Sequence, residues 1–261
     1  MTDPTALDLA HAAMTDTPTD DAARLRFYER LADSELFLLL AREPEGDNVE
    51  PETFEVADAS FVLVFDREDR LAQFTGRISP YAALSGRVIA GMLAGQGIGL
   101  AVNPEVAPSS ILIPPQAVDW LADTLAQGPA EAEAKPAEIL PPAGLPEILL
   151  NALDAKLATT GGLARIAYLA GVVYDDGTRG HLLGLVDALP GAEPALAGAV
   201  NEALTFSGIE AGALDVAFFA ATDPLSAALA RHGLRFDLPQ APTPEARPAP
   251  GSDPAKPPIL R

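Results

Sequence analysis

The chain has 261 residues, 48% apolar and 21% charged, with 37 Asp and Glu against 17 Lys and Arg and a net charge of −20. This length and composition suit one large or two ordinary globular domains, and the acidic excess disfavours nucleic acid and anionic membranes as partners, since both need concentrated cations. Cysteine is absent, which excludes disulfides, iron–sulfur clusters and cysteine-ligated zinc and suits a reducing compartment.

The N-terminus lacks the basic and apolar regions of a secretory signal. No stretch nears the ~18 unbroken apolar residues of a membrane span. A cytoplasmic location and no membrane association are therefore expected. Residues 5–14 read as a short helix; Pro18 and Thr19-Asp20-Asp21 break and recap it, and residues 22–31 form a second helix with Leu25, Tyr28 and Leu31 at three-residue spacing. Residues 35–41 are a nearly continuous apolar run, as in a strand covered on both faces. After a polar loop, residues 53–57 form a short strand. Residues 61–65 and 71–75 are two further apolar runs joined by Asp66-Arg67-Glu68-Asp69-Arg70, which predicts a charged hairpin. Tyr81, Leu84, Val88 and Met92, three to four apart, predict a helix over 80–93.

The stretch Gly95-Gln96-Gly97-Ile98-Gly99-Leu100-Ala101-Val102-Asn103-Pro104 ends that helix and opens a buried strand. Ser110-Ile111-Leu112-Ile113 gives another strand, and Pro114-Pro115 opens a helix running past Trp120 to Leu125. From 128 to 143 the chain turns rich in Pro, Ala and Glu, the composition of a linker. The second half then reads as a helix over 145–157, two strand-like runs over 163–174 and 181–188 joined by an Asp-Gly turn, a helix over 193–205, a buried strand over 215–220, a helix over 224–231 and a last strand over 234–238. From Pro239 onward the chain holds eight of its 25 prolines, and a tail without a core is expected. From residue 240 on, three cations (Arg247, Lys256, Arg261) stand against two acids (Glu245, Asp253), so the acidic excess lies in the body.

The expected architecture is thus mixed α/β or α+β. It has two small domains, over 1–127 and 144–238, each a mixed sheet with hairpins packed on helices. The linker occupies 128–143 and the tail 239–261. The two halves share the order helix, hairpin, helix, strand, helix, without a residue-level repeat.

Catalytic templates fail one by one. Gly95-x-Gly97-x-Gly99 has glycines, but a phosphate loop needs a strand before them and a helix after, and here the order is reversed. His11, His181 and His232 are the only histidines and show no paired metal spacing. Ser85-Gly86 and Ser207-Gly208 lack the strand–elbow–helix context of a nucleophile. Glu68/Asp69 and Asp175/Asp176 fall in turns, where acids are common for local reasons, and the Asp175-Asp176-Gly177 loop lacks the remaining calcium ligands. No catalytic, cofactor or metal residues are assigned, and no cofactor is expected.

The segment Arg26-Phe27-Tyr28-Glu29-Arg30-Leu31-Ala32-Asp33-Ser34-Glu35-Leu36-Phe37 resembles the opening of the SseB (enhanced serine sensitivity) N-terminal domain, in which a helix feeds a strand. Phe74-Thr75, Tyr81, the Gly97–Pro104 stretch and the Ile-x-Ile-Pro strand continue the likeness. Leu145-Pro146-Glu147-Ile148-Leu149 and Ile166-Ala167-Tyr168-Leu169 resemble the opening of the matching C-terminal domain. The likeness covers roughly 5–126 and, more loosely, 144–238. It implies no catalytic residues or cofactor, and its name implies a tie to serine or related amino-acid metabolism.

Three functions are open to such a chain. First is a non-enzymatic accessory or regulatory protein acting on an unidentified protein partner. Second is a sensor holding a small metabolite, such as an amino acid, between the domains. Third is an enzyme with a dispersed acid/base site drawn from Arg165, Tyr168, Asp175 and His181.

Overall fold

The computed structural model describes residues 3–44, 46, 48–56, 59–127, 135–208 and 214–240. The predicted tail from 241 and the 128–134 part of the predicted linker lie outside the described residues.

The first half runs α1 (Ala6–Asp16), α2 (Asp21–Asp33), β1 (Glu35–Leu39), β2 (Thr53–Val56), β3 (Ala59–Phe65), α3 (Glu68–Thr75), β4 (Tyr81–Ser85), α4 (Gly86–Leu93), β5 (Ile98–Val102), β6 (Ile111–Ile113) and α5 (Pro115–Ala126). The second runs β7 (Pro136–Leu140), α6 (Glu147–Thr159), β8 (Ile166–Tyr174), β9 (Arg179–Val186), α7 (Glu193–Phe206), β10 (Asp215–Phe219), α8 (Pro224–His232) and β11 (Leu234–Asp237). The result is a mixed α/β fold with two sheets. In the first the strand order is β4-β1-β3-β5-β6, with β2 beside β3; in the second it is β10-β9-β8-β11, with β7 beside β8.

Each sheet is buried on both faces. Leu36, Leu38 and Leu40 point into the core under α1, α2, α4 and α5, while Leu39, with Leu63 and Phe65, faces Leu71 of α3. This alternation explains the unbroken apolar run of β1, since both faces of the strand are covered. The second sheet is arranged alike. Ala167, Leu169, Leu183 and Leu185 face α6 and α7, and Ala170, Val172 and Leu182 face Leu229 of α8.

Three predicted elements differ. The charged segment before residue 71 is not a hairpin turn. Glu68–Thr75 is one helix, capped by Gly76 in the left-handed conformation at φ 62°. Its Leu71 is buried and Phe74 lies 5.4 Å from the Phe65 ring, so the apolar pair serves one face of a helix rather than a strand. The predicted helix over 80–93 is half strand. Residues Tyr81–Ser85 pair antiparallel with all of β1, and the helix starts only at Gly86, where a Cβ would overlap the carbonyl oxygen of Leu31. Finally, Pro136–Leu140, expected in the linker, pairs with β8 and belongs to the second sheet.

The two halves share a frame. In the first, β4 and β1 are antiparallel, as are β1 and β3, while β3 and β5 are parallel. In the second, β11/β8 and β8/β9 are antiparallel and β9/β10 parallel. Four strands therefore match in order and direction, with α2 and α6 preceding the hairpin pair and α4 and α7 preceding the parallel strand. A side-chain lock spans the parallel pair in both halves, from opposite strands of the pair. Asn103, at φ 46° beyond β5, accepts the Asp66 N–H through Oδ1, and Asp187, at φ 53° beyond β9, accepts the Ala221 N–H. Asn and Asp tolerate this conformation better than other side chains.

Candidate functional site

The helices that follow this shared frame meet at the junction between the halves, and the densest charge cluster lies there. Lys156 of α6 sits on the same stripe as the buried Leu149, Leu153 and Leu157, and its side chain is only 4% exposed. Its Nζ lies 2.7 Å from Asp33, 2.8 Å from Glu202 and 3.4 Å from Glu29. Arg87, from the first turn of α4, reaches Asp33 at 2.7 Å and makes two bonds to Glu202 at 2.9 and 3.1 Å. Two acids of α2, one of α7 and two cations thus form one network.

The electrostatics follow from burial set against pairing. Burial opposes the charge on Glu202, but the bonds from Arg87 and Lys156 prevail and hold its carboxyl below the usual range. Burial likewise disfavours charged Lys156, and its bonds to Asp33 and Glu202 overcome this and push its pKa up. Glu29 is the reverse: burial dominates, the longer contact to Lys156 compensates only in part, and its pKa is raised. With three carboxylates around two cations, Glu29 is the surplus charge.

Apolar packing reinforces the junction. Phe206, the last residue of α7, is fully buried in the core of the first half. Its ring lies 6.4 Å from Trp120, which in turn meets Tyr28 edge-on at 5.3 Å. Trp120 is thus an interhalf contact as well as an edge-of-core residue.

A second buried cluster ties α1 to the carboxyl ends of β3 and β5. Arg70 donates to both oxygens of Asp8, at 3.1 and 2.5 Å, and to Asp66 at 2.7 Å. Asp8 also accepts from the Ser109 hydroxyl at 2.6 Å and from the Thr5 N–H at 2.9 Å. Burial works against the Asp8 charge, yet these bonds hold its carboxyl far below the ordinary carboxylate range. In an open α/β sheet this end of the parallel strands is the usual ligand crevice. Here the N-terminal turn of α1 occupies it.

The four residues offered for an acid/base site are spread along the second sheet. Arg165 precedes β8 and lies 3.6 Å from Asp187, whereas Asp175 follows the other end of the same nine-residue strand. Tyr168 packs on the α8 side. His181 pairs with Gly171, one step out of phase with the α8-facing Ala170–Leu182 pair, and so projects to the opposite face. Its Nε2 lies 2.9 Å from the Ala143 carbonyl; a carbonyl only accepts, so this nitrogen carries the proton. His181 does line a cleft of about 310 Å³, with Arg179, Leu140, Pro141, Gly171 and Gly180 among its walls. Elsewhere, Tyr174 donates to Asp215 at 2.5 Å across Gly180. Among the described residues no group of three or more His, Asp or Glu side chains is placed to hold a metal ion, and no helix is long and apolar enough to cross a membrane.

Sequence reasoning assigned no role to Glu29, Asp33, Arg87, Lys156 or Glu202. The readable signal was Lys156, a lone cation on an otherwise apolar helical stripe. Its partners were not readable, because Asp33 lies 123 residues away.

Comparison with known proteins agrees with the first half of this architecture. No curated protein and no solved structure matches the chain significantly. The family model described as SseB protein N-terminal domain matches residues 7–120. These limits take in Leu7 beside the Asp8 anchor, the whole first sheet and Trp120 at the junction. The first half of the chain therefore carries an SseB N-terminal domain.

Proposed function

We propose that the chain is a non-enzymatic accessory protein that works by contact with another protein. The junction carries this reading. Its five charged groups are bonded to one another, and Phe206 of one half completes the core of the other. A cleft between domains is where a metabolite or substrate would be held, and here that position is packed with protein. Burial and ion pairing hold the halves in one arrangement, which favours a fixed recognition surface. Charge adds a preference for a basic partner over nucleic acid, given the net −20. The family resemblance alone suggests the setting, serine or related amino-acid metabolism.

A pull-down with the full chain at low and moderate salt, paired with sedimentation, tests this. A specific partner whose retention weakens with salt is expected. A clean monomer that retains no specific protein at either salt would overturn the reading. Small-molecule binding is a second reading, favoured by the cleft beside Arg179 and His181. It predicts that an amino acid or small carboxylate raises the melting temperature, and a screen without any such shift removes it for those ligands.

A further inference from the structure

The shared frame of the two sheets shows one difference. In the first sheet, β5 has β3 on one side and β6 on the other, with Leu100, Ala101 and Val102 paired antiparallel to Ile113, Leu112 and Ile111. The matching strand of the second sheet, β10, pairs with β9 and ends the strand order. Among the described residues no strand covers its outer edge. That edge is not a minor one: it follows Asp215-Val216-Ala217-Phe218-Phe219, five residues paired in full on the inner side.

Which main-chain groups are free follows from register. Phe219 accepts the Asp187 N–H through its carbonyl, so its main-chain groups face β9. Alternation along a strand then turns those of Ala217 and Asp215 the same way. The N–H and C=O of Val216 and Phe218 point outward. Unpaired strand edges are templates for another strand, and proteins that keep them solvated commonly blunt them with Lys, Pro or bulges. β10 has none of these devices. By contrast, the outer edge of β6 is three residues long and bracketed by Pro108 and Pro114.

We infer that the free edge of β10 is the docking site for an extended, apolar strand with basic flanks, supplied by a partner protein and added antiparallel; this rests on the accessory role proposed above. The sibling sheet sets the form of the occupant, since β6 is a short antiparallel strand with Ile at alternate positions. Charge selects its flanks. Asp215, which accepts from Tyr174, stands at one end of β10. Asp187, 3.6 Å from Arg165, and Asp223, the cap of α8, lie just beyond the other. Each carboxylate keeps its negative charge and further acceptor positions. The same charges argue against a second copy of the chain: antiparallel pairing of two β10 strands would bring these acids of both copies together, on bodies of net charge −20 each. Strand addition draws affinity from main-chain bonds and specificity from alternate side chains.

The test uses the full chain and the synthetic peptide Lys-Ser-Ile-Leu-Ile-Lys, which carries the sequence of residues 110–113 between lysines. Calorimetric titration is expected to give saturable binding, and hydrogen exchange is expected to slow at Val216 and Phe218. A peptide with proline at the central Leu loses a donor and should bind about ten-fold more weakly. The Val216→Pro chain should weaken binding of the original peptide by a similar factor, because proline is tolerated where the strand N–H faces outward. Replacing the flanking lysines with glutamates should abolish binding. The proposal is overturned by the absence of binding at millimolar peptide, by equal binding of the proline peptide, or by slowed exchange confined to other strands. It is also overturned if the chain alone sediments as a dimer with Val216 and Phe218 already protected. If a pull-down partner binds Val216→Pro as well as the parent chain, the accessory role stands and this surface is removed.

Discussion

Replacing Lys156 with methionine tests the junction directly. The substitution keeps the length and apolar stem of a side chain that is 4% exposed, while removing the charge from between three carboxylates. At an effective dielectric of about 20, each of the two short contacts, 2.7 and 2.8 Å, represents roughly 6 kcal/mol of gross attraction. Desolvation of the ammonium offsets much of this. What does not cancel is the state left behind, with Glu29, Asp33 and Glu202 facing one another and only Arg87 to neutralise them. Breaking a buried pair by removing one partner costs about 3–5 kcal/mol, a large fraction of the roughly 5–15 kcal/mol available to an ordinary domain.

Urea unfolding of both chains at pH 7 measures the difference. Its pH dependence separates charge from packing. Glu202 has a depressed pKa in the fold, so its contribution is present above the unfolded carboxylate value near 4.3 and lost as pH falls through the folded value. Lys156 is raised, so its contribution is complete below the unfolded value near 10.4 and lost only as pH rises through the folded one. In Lys156→Met the stranded carboxylates are relieved on protonation, and the gap to the parent chain should narrow as pH drops from 7 toward 4. A gap below about 1 kcal/mol at pH 7 would refute the reasoning. So would a large gap that stays constant with pH, since that would be a packing defect.

Other substitutions separate the remaining contacts. Glu29→Gln removes the surplus carboxylate; because its pKa is raised by burial, the ionised form is disfavoured by folding as pH rises, and the variant should melt at or above the parent temperature at pH 7. Asp33→Asn, which loses contacts to both cations, should melt lower. Arg70→Met leaves Asp8 buried without its cation and should cost about 3–5 kcal/mol, with limited proteolysis now cutting between α1 and α2. Phe206→Ala should cost about 3–5 kcal/mol and, because this side chain lies in the core of the first half, it should accelerate hydrogen exchange in α2 and α5 as well as in α7.

Local patterns carried most of the fold. The glycines before Ile98 and the Asn103-Pro104 turn bound β5 as expected, and Pro115 opens α5. Where the pattern misled, a competing pattern can be named. Tyr81, Leu84, Val88 and Met92 have helical spacing, but Val88 and Met92 are 45% and 36% exposed. The true core stripe of α4 is Ile89, Ala90 and Leu93. The Leu71–Thr75 run looks strand-like until Phe65 and Gly76 are placed around it. β10 read as buried because Val216, Phe218 and Phe219 are apolar, whereas among the described residues it ends its sheet, with these side chains half-buried. The polar clusters were beyond local reading altogether: Ser109 and Asp8 are 101 residues apart, and nothing near either one indicates its partner.

The matched frames of the two halves give the junction a further property. Every ion pair that crosses it joins a helix to its counterpart: Lys156 of α6 with Glu29 and Asp33 of α2, and Glu202 of α7 with Arg87 of α4. Counterpart helices therefore carry opposite signs. Exchange one half for a duplicate of the other and each crossing pair becomes a like-charge clash, acid on acid along α2 and arginine on arginine along α4. Two molecules cannot stack like halves through this face without that penalty. The arrangement works as a key cut in two unlike pieces, which lets structurally similar domains on one chain find each other and refuse themselves.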